Sequence, residues 1–270
     1  MNQRTLASAI ILSGIGTHTG RTCSVEIRPA PANSGIMFKG QRITPESASG
    51  NAGFTEVFGS LKTVEHIMAS LSALGIDNAD MVSDDPECPA FDGSALPAAQ
   101  KIAGAGIAEQ QEPRKYLKIL RRVEYSDAFA AVSLGPAEGF SLDVTIDYPE
   151  PIGHERLVFE MDAGAFMRDI APARSFARQS DVDELRRRGF ALGASLDVGI
   201  GIDGGRVLNP GGLRFPDEFV RHKIADAIGD MATSGYRIIG RYVSLKGGHN
   251  QNNALLRALF ADPESFAVIS

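Results

Sequence analysis

At 270 residues the chain is long enough for two modest domains, each with its own core. Hydrophobic residues make up 43%, charged residues 22%, and the net charge of −6 leaves no electrostatic footprint for nucleic acid. No apolar run approaches the roughly 20 residues that stable membrane insertion requires. The Ala9-Ile10-Ile11-Leu12 run is too short for a signal-peptide core, and Cys23 and Cys88 imply no disulfide framework, so a monomeric cytoplasmic protein is expected.

From Thr5 to Pro29 an apolar strand is followed by G-I-G-T-H-T-G (14–20) and by a period-two strand at Thr22–Ile27. Gly14, Gly16 and Gly20 punctuate a turn that carries His18 and does not follow the dinucleotide fingerprint. Pro29–Gly35 reads as a loop, Ile36–Phe38 as a strand, and 40–55 as an exposed loop of small polar residues. Thr63–Leu71 reads as a helix with Thr63 as N-cap, ending near Gly75. A strand at Ala79–Ser83 and a helix opened by Asp92-Gly93-Ser94 lead to Pro113, the expected domain boundary. Strands at Tyr116–Tyr125 and Phe129–Leu134 then return to the first pattern. The expectation is an α+β fold of two similar halves, 1–112 and 113–270, as an old duplication would leave. The first half carries a short insert at about 40–60, the second an extra apolar stretch at about 148–169.

The densest chemistry lies at Asp217–Asp230. Phe219, Val220, Ile224, Ala225, Ile228 and Met231 recur at helical spacing, while His222, Asp226 and Asp230 stand four apart on another face. An imidazole and a carboxylate at i and i+4 can grip one metal ion from a single helix. With His66 from the first half, His222 and Asp226 make a three-ligand Zn²⁺ site with one position open, the pattern of a catalytic centre. Glu65 beside His66 suits a base that takes a proton from water, His249 a general acid, and Asp230 a carboxylate that orients His249. Alone, each reads as readily as a helix-start charge, a loop imidazole or a helix surface.

Together, T-V-E-H (63–66), V-R-H-K-I-A-D-A-I-G-D (220–230) and K-G-G-H-N-Q-N-N (246–253) resemble the bacterial UDP-3-O-acyl-N-acetylglucosamine deacetylases, zinc amidases of lipid A synthesis. R-P-A-P-A-N-S-G-I, L-G-I-D-N, F-D-G-S-A, P-A-R-S-F and G-L-R-F-P-D-E-F-V-R-H-K extend the resemblance nearly end to end. It implies helices packed between two sheets with the site at their interface. It also implies metal ligands at His66, His222 and Asp226, the base at Glu65 and the acid at His249. Ser175 falls where the family places the threonine hydroxyl of an oxyanion site. Lys223 would meet the diphosphate and Asp147-Tyr148 the uracil of a UDP-sugar, with Phe176 and His18 also on the substrate side. The implied substrate carries a fatty acyl chain, whose passage the second insert would line with Ile152, Leu157, Phe159 and Phe166. Three positions depart from the family: the first insert is short, Ala177 replaces a glycine, and Ala128 stands near an expected lysine. A deacetylase of another N-acetylated amino sugar, or a non-catalytic metal-containing binding protein, are the alternatives.

Overall fold

The computed structural model describes residues 1–51 and 53–270. The first half runs β1 (Asn2–Leu6), β2 (Ile10–Ile15), β3 (Thr22–Pro29), β4 (Ile36–Phe38) and β5 (Gln41–Arg42). A small sheet of β6 (Ala48–Gly50), β7 (Thr55–Val57) and β8 (Leu61–Lys62) leads into helix α1 (Glu65–Ala73). Then come β9 (Ala79–Val82), α2 (Leu96–Gly104) and β10 (Ile107–Pro113), which pairs back on β1. The second half begins with β11 (Tyr116–Ile119), β12 (Val123–Ser126), β13 (Ala131–Gly135), β14 (Phe140–Asp147) and β15 (His154–Glu160). A single turn, α3 (Ala163–Ala165), runs into a π-helical turn at Phe166–Ile170. Another small sheet follows, β16 (Phe176–Arg178), β17 (Ile200–Asp203) and β18 (Arg206–Val207), with α4 (Gln179–Arg187) between its first two strands. Helix α5 (Glu218–Ala232), β19 (Arg237–Leu245), α6 (His249–Ala261) and β20 (Phe266–Ile269) complete the α+β fold.

The two main sheets repeat one plan. In the first the neighbours are β2-β3-β9-β4-β5, in the second β12-β13-β19-β14-β15. Directions match too: β3–β9 and β13–β19 are antiparallel, β4–β9 and β14–β19 parallel, β4–β5 and β14–β15 antiparallel. The first residues of β19 additionally pair with β11, which brings in β20. α1 and α5 occupy equivalent places, each after the small sheet of its half and before the strand that enters the middle of the main sheet.

This plan corrects the expected second insert. The 148–169 stretch is not an addition, because β15 is the counterpart of β5 and belongs to the main sheet. Ile152, Phe159 and Phe166 are buried in the core of the second half. H-E-R-L-V-F-E alternates between exposed and less exposed positions, the signature of a half-covered strand. The segment in the place of β6–β8 is instead β16 to β18 with α4. The 40–55 stretch is likewise no exposed loop: it contributes β5, β6 and the start of β7, and buries Ile43, Ala48, Phe54 and Thr55. Ala52, within it, lies outside the described residues. Tyr116–Tyr125 divides into β11 and β12. Thr63 does not cap α1; it sits at φ +59° with its hydroxyl 3.3 Å from Glu87 Oε1, and the helix starts at Glu65 without a side-chain cap.

One core gathers Leu12, Val25, Ile27, Phe38, Ile67 and Leu71, the other Leu134, Leu142, Ile224, Ile228, Tyr242 and Leu256. Burying each such side chain contributes about 1.5–3 kcal/mol. The cores meet where α1 crosses α5, and Gly229 sets the distance. A methyl group there would lie 2.0 Å from the Glu65 carbonyl oxygen, so only glycine lets the helices come this close. As a result α5 is buried on its polar stripe as well as on its apolar face: His222, Asp226 and Asp230 are all buried.

Candidate active site

His66, in the first turn of α1, meets His222 and Asp226 of α5 across the crossing. One ligating atom from each lies within 4.8 Å of the other two. His66 Nε2 and His222 Nε2 stand 3.5 and 3.3 Å from Asp226 Oδ1. His222 Nδ1 lies 3.2 Å from the Ala173 carbonyl, which can only accept, so the proton sits on Nδ1 and the Nε2 lone pair is free for a metal. Burial pushes His222 down to about 4, which keeps it neutral and ready to ligate. Burial opposes charge on Asp226, yet the imidazoles and the Lys223 ammonium hold its carboxyl well below the usual carboxylate range. Two imidazoles and one carboxylate are a donor set that fits a divalent metal.

His249 opens α6 on the other side of the same space. Its Nδ1 is 2.9 Å from Asp230 Oδ2, and its Nε2 3.8 Å from Asp226 Oδ2. Asp230 is fully buried and also accepts from Thr55 Oγ1 at 2.6 Å and Asn252 Nδ2 at 2.7 Å. Tyr242 donates in turn to Asn252 Oδ1 at 2.5 Å. Burial disfavours charge on His249, but the Asp230 carboxylate outweighs it and, with Asp226 and Glu65, pushes the imidazole up to about 9. The Thr55 amide donates to Glu65 Oε2 at 3.0 Å, which fixes that carboxylate. Burial raises the Glu65 carboxyl, with the neighbouring His249 and His66 opposing. Glu65, His66, His222, Lys223, Asp226, His249, Gly53 and Phe176 line one cavity of about 120 Å³. Glu65 and His249 therefore share one cavity with the candidate metal position.

The remaining expected residues divide. Lys223 lines the cavity and pairs with Asp226 Oδ2 at 2.9 Å, which holds the ammonium above its ordinary value against the effect of burial. Phe176 lines it too and packs edge-on against Tyr148, with ring centroids 5.7 Å apart. Tyr148 is 38% exposed; Asp147 is exposed and 3.5 Å from Lys246 Nζ. Ser175 donates through Oγ to the Gly93 carbonyl at 3.0 Å and lines the neighbouring cavity rather than the metal one. His18 is buried behind Gly53, 4.6 Å from the Phe54 ring, and burial lowers its pKa. Ala128 is exposed in the turn after Asp127, which accepts from Gln251 of α6 at 2.7 Å.

The neighbouring cavity, about 340 Å³, lies against β16, α4 and β17 and is lined by Phe176, Val182, Leu196, Val198, Ile200 and Leu208. Phe176 is the wall it shares with the metal cavity. The apolar walls of this cavity come from residues later in the chain than the 148–169 stretch that was expected to line a passage. Thr55, Asn252 and the Ala173 carbonyl were not expected from the sequence. The N-Q-N-N run after His249 was a signal for Asn252, one helical turn on from the imidazole; nothing near Thr55 marked it.

The comparisons with known proteins agree with this geometry. A family model described as UDP-3-O-acyl N-acetylglycosamine deacetylase matches residues 3–261. The chain belongs to this family. It is 41% identical over 286 residues to the UDP-3-O-acyl-N-acetylglucosamine deacetylase of Phenylobacterium zucineum, covering 99% of this chain and 96% of the relative. The enzymes of the same name from Shewanella violacea and Shewanella loihica are each 38% identical over 283 residues, covering 99% of this chain and 92% of the relative. The family is one of metalloenzymes, and His66, His222 and Asp226 form a group in this member that can hold a metal. No helix of the described residues is long and apolar enough to cross a membrane.

Proposed function

We propose that the protein hydrolyses the acetamide of a UDP-3-O-acyl-N-acetylglucosamine, releasing acetate and the free amine, with Zn²⁺ held by His66, His222 and Asp226. The observation that carries this reading is one cavity in which three metal-competent side chains lie between Glu65 and His249. The bound ion would supply Lewis acidity, polarising the amide carbonyl and acidifying water. Glu65 accepts the proton as the water oxygen attacks the carbonyl carbon. The C–N bond then breaks, and His249, kept protonated by Asp230, gives its proton to the departing nitrogen. Ser175 supplies a hydroxyl to the oxyanion after turning from Gly93, and Lys223 a cation at the mouth.

The apolar cavity along β16–β17 suits the acyl chain, and the exposed Tyr148 beside Phe176 suits the uracil face. The protein is proposed to act as a monomer, and the two free buried cysteines fit a reducing cytoplasm. The test is turnover, followed by mass spectrometry, of the acylated UDP-sugar against UDP-GlcNAc, with metal analysis of wild type, His222→Ala and His154→Ala. Preferential turnover of the acylated form and one zinc per chain, lost only in His222→Ala, is expected. Equal turnover of UDP-GlcNAc would remove the acyl requirement, and full zinc in His222→Ala would remove the ligand assignment.

A further inference from the structure

Away from the metal ligands, two further cavities adjoin where the halves meet, sharing Ser72, Ala232, Tyr236 and Arg237 as walls. The larger, about 330 Å³, has an apolar side formed by Phe140, Met161, Ile228, Met231 and Ile238, with Glu138 exposed at its rim. The smaller, about 60 Å³, is lined by Arg42, Lys115 and Arg237, with Asp77 as its carboxylate. Neither includes a residue of the candidate active site.

Cations crowd the smaller cavity. Gly75 ends α1 at φ +79°, and a methyl group built on it would lie 3.6 Å from Arg114 Nη2 and 3.7 Å from both Arg237 Nη1 and Arg4 Nη1. Three guanidinium groups thus converge on one point. Asp77 answers one of them, accepting from Arg114 Nε and Nη2 at 2.9 and 2.8 Å. Arg237 donates to the Ser72 carbonyl at 2.9 Å, while Arg42 donates to the Gly235 carbonyl at 2.6 Å and lies over the Tyr236 ring. Among the described residues no carboxylate forms an ion pair with Arg4, Arg42, Lys115 or Arg237. Burial holds the Arg237 guanidinium below its ordinary value, Arg114 and Arg4 push it the same way, and Asp77 and Tyr116 oppose them. Arg42, Lys115 and Arg237 line this cavity against the one carboxylate of Asp77, with Arg4 and Arg114 close by at Gly75; this is a local excess in a chain of net charge −6, and a bound anion would relieve it.

We propose that the adjoining cavities form a second ligand site, for a small amphiphilic anion such as a medium-chain carboxylate. The head group lies among Arg42, Lys115 and Arg237, and the apolar body lies against Met161, Ile228 and Met231. A cavity of a few hundred Å³ with convergent polar groups at one end is the usual form of a small-molecule site. Its walls include the last turns of α1 and α5, so an occupant adds contacts between the halves without touching the metal cavity.

Photoaffinity labelling of the metal-loaded protein with a diazirine-bearing decanoate, followed by peptide mapping, tests the site. Saturable adducts on the segments around Phe140, Met161 or Met231 are expected. Excess decanoate should compete, and Lys115→Glu should reduce labelling at least threefold; Lys115 is exposed, so reversing its charge leaves the fold alone. Adducts confined to the cavity between Ser175 and Leu208 would overturn the proposal. So would labelling indifferent to Lys115→Glu, or competition by decanol as strong as by decanoate, since either removes the cationic cluster from recognition.

Discussion

Asp230 reaches neither solvent nor the candidate metal, yet it governs the charge on His249, the proposed acid. Its carboxylate holds His249, Thr55 and Asn252, and its charge raises the imidazole to about 9. A general acid must be protonated to act, so the alkaline limb of the kcat profile follows this group. Asp230→Asn keeps the shape and removes the charge. The alkaline limb should then move to lower pH, with a rate loss of ~10²–10⁴-fold; an unmoved limb in pH–rate measurements would show the charge is not felt at His249. Glu65→Gln is the matching test of the base. It should retain zinc by metal analysis and lose ~10²–10⁴-fold in kcat, because an amide cannot take up the proton.

At the scale of elements, Glu218 joins the P-A-R-S-F segment to the start of α5. It accepts from Arg174 Nε at 2.8 Å and Nη2 at 3.1 Å, and from the amides of Arg174 and Arg214 at 3.0 and 2.5 Å. Burial favours its neutral form, but these donors win and the carboxyl lies below its ordinary value. A depressed folded pKa gives stability that is present above the unfolded value of about 4.3 and is lost as pH falls through the folded one. Glu218→Gln should therefore flatten the pH dependence of urea unfolding below about pH 4. It should also destabilise the protein at neutral pH, since the partly buried Arg174 loses its carboxylate partner and keeps only the Gly212 carbonyl. An unchanged acid limb would mean that other carboxylates set it. The elements also show what the sequence makes legible. His222, Asp226 and Asp230 could be read together because helical spacing is local, and T-V-E-H could be read as a second contributor of ligands. The β15 segment could not be told from an insert by composition, because only its pairing with β14 makes it a core strand. Thr55 was out of reach for the same reason: its partner Asp230 is 175 residues away.

For the whole molecule, the decisive contact is the crossing of α1 and α5 at Gly229. Gly229→Ala puts a methyl group against the Glu65 backbone and should force the helices apart, at about 1–3 kcal/mol for overpacking. The ligands sit on opposite sides of that crossing, so metal affinity should fall although no ligand is changed. Titration with a competing chelator measures this, and an unaltered Kd would mean that the strain is absorbed elsewhere. The same arrangement makes the ion a cross-link. His66 would reach a bound ion from the first half, His222 and Asp226 from the second, so an ion at a thousandfold excess over its Kd would stabilise the joined form by about 4.1 kcal/mol. Chelation should then raise hydrogen exchange first in α1 and α5, before either sheet loosens, and inactivation by chelators would be partly a mechanical event.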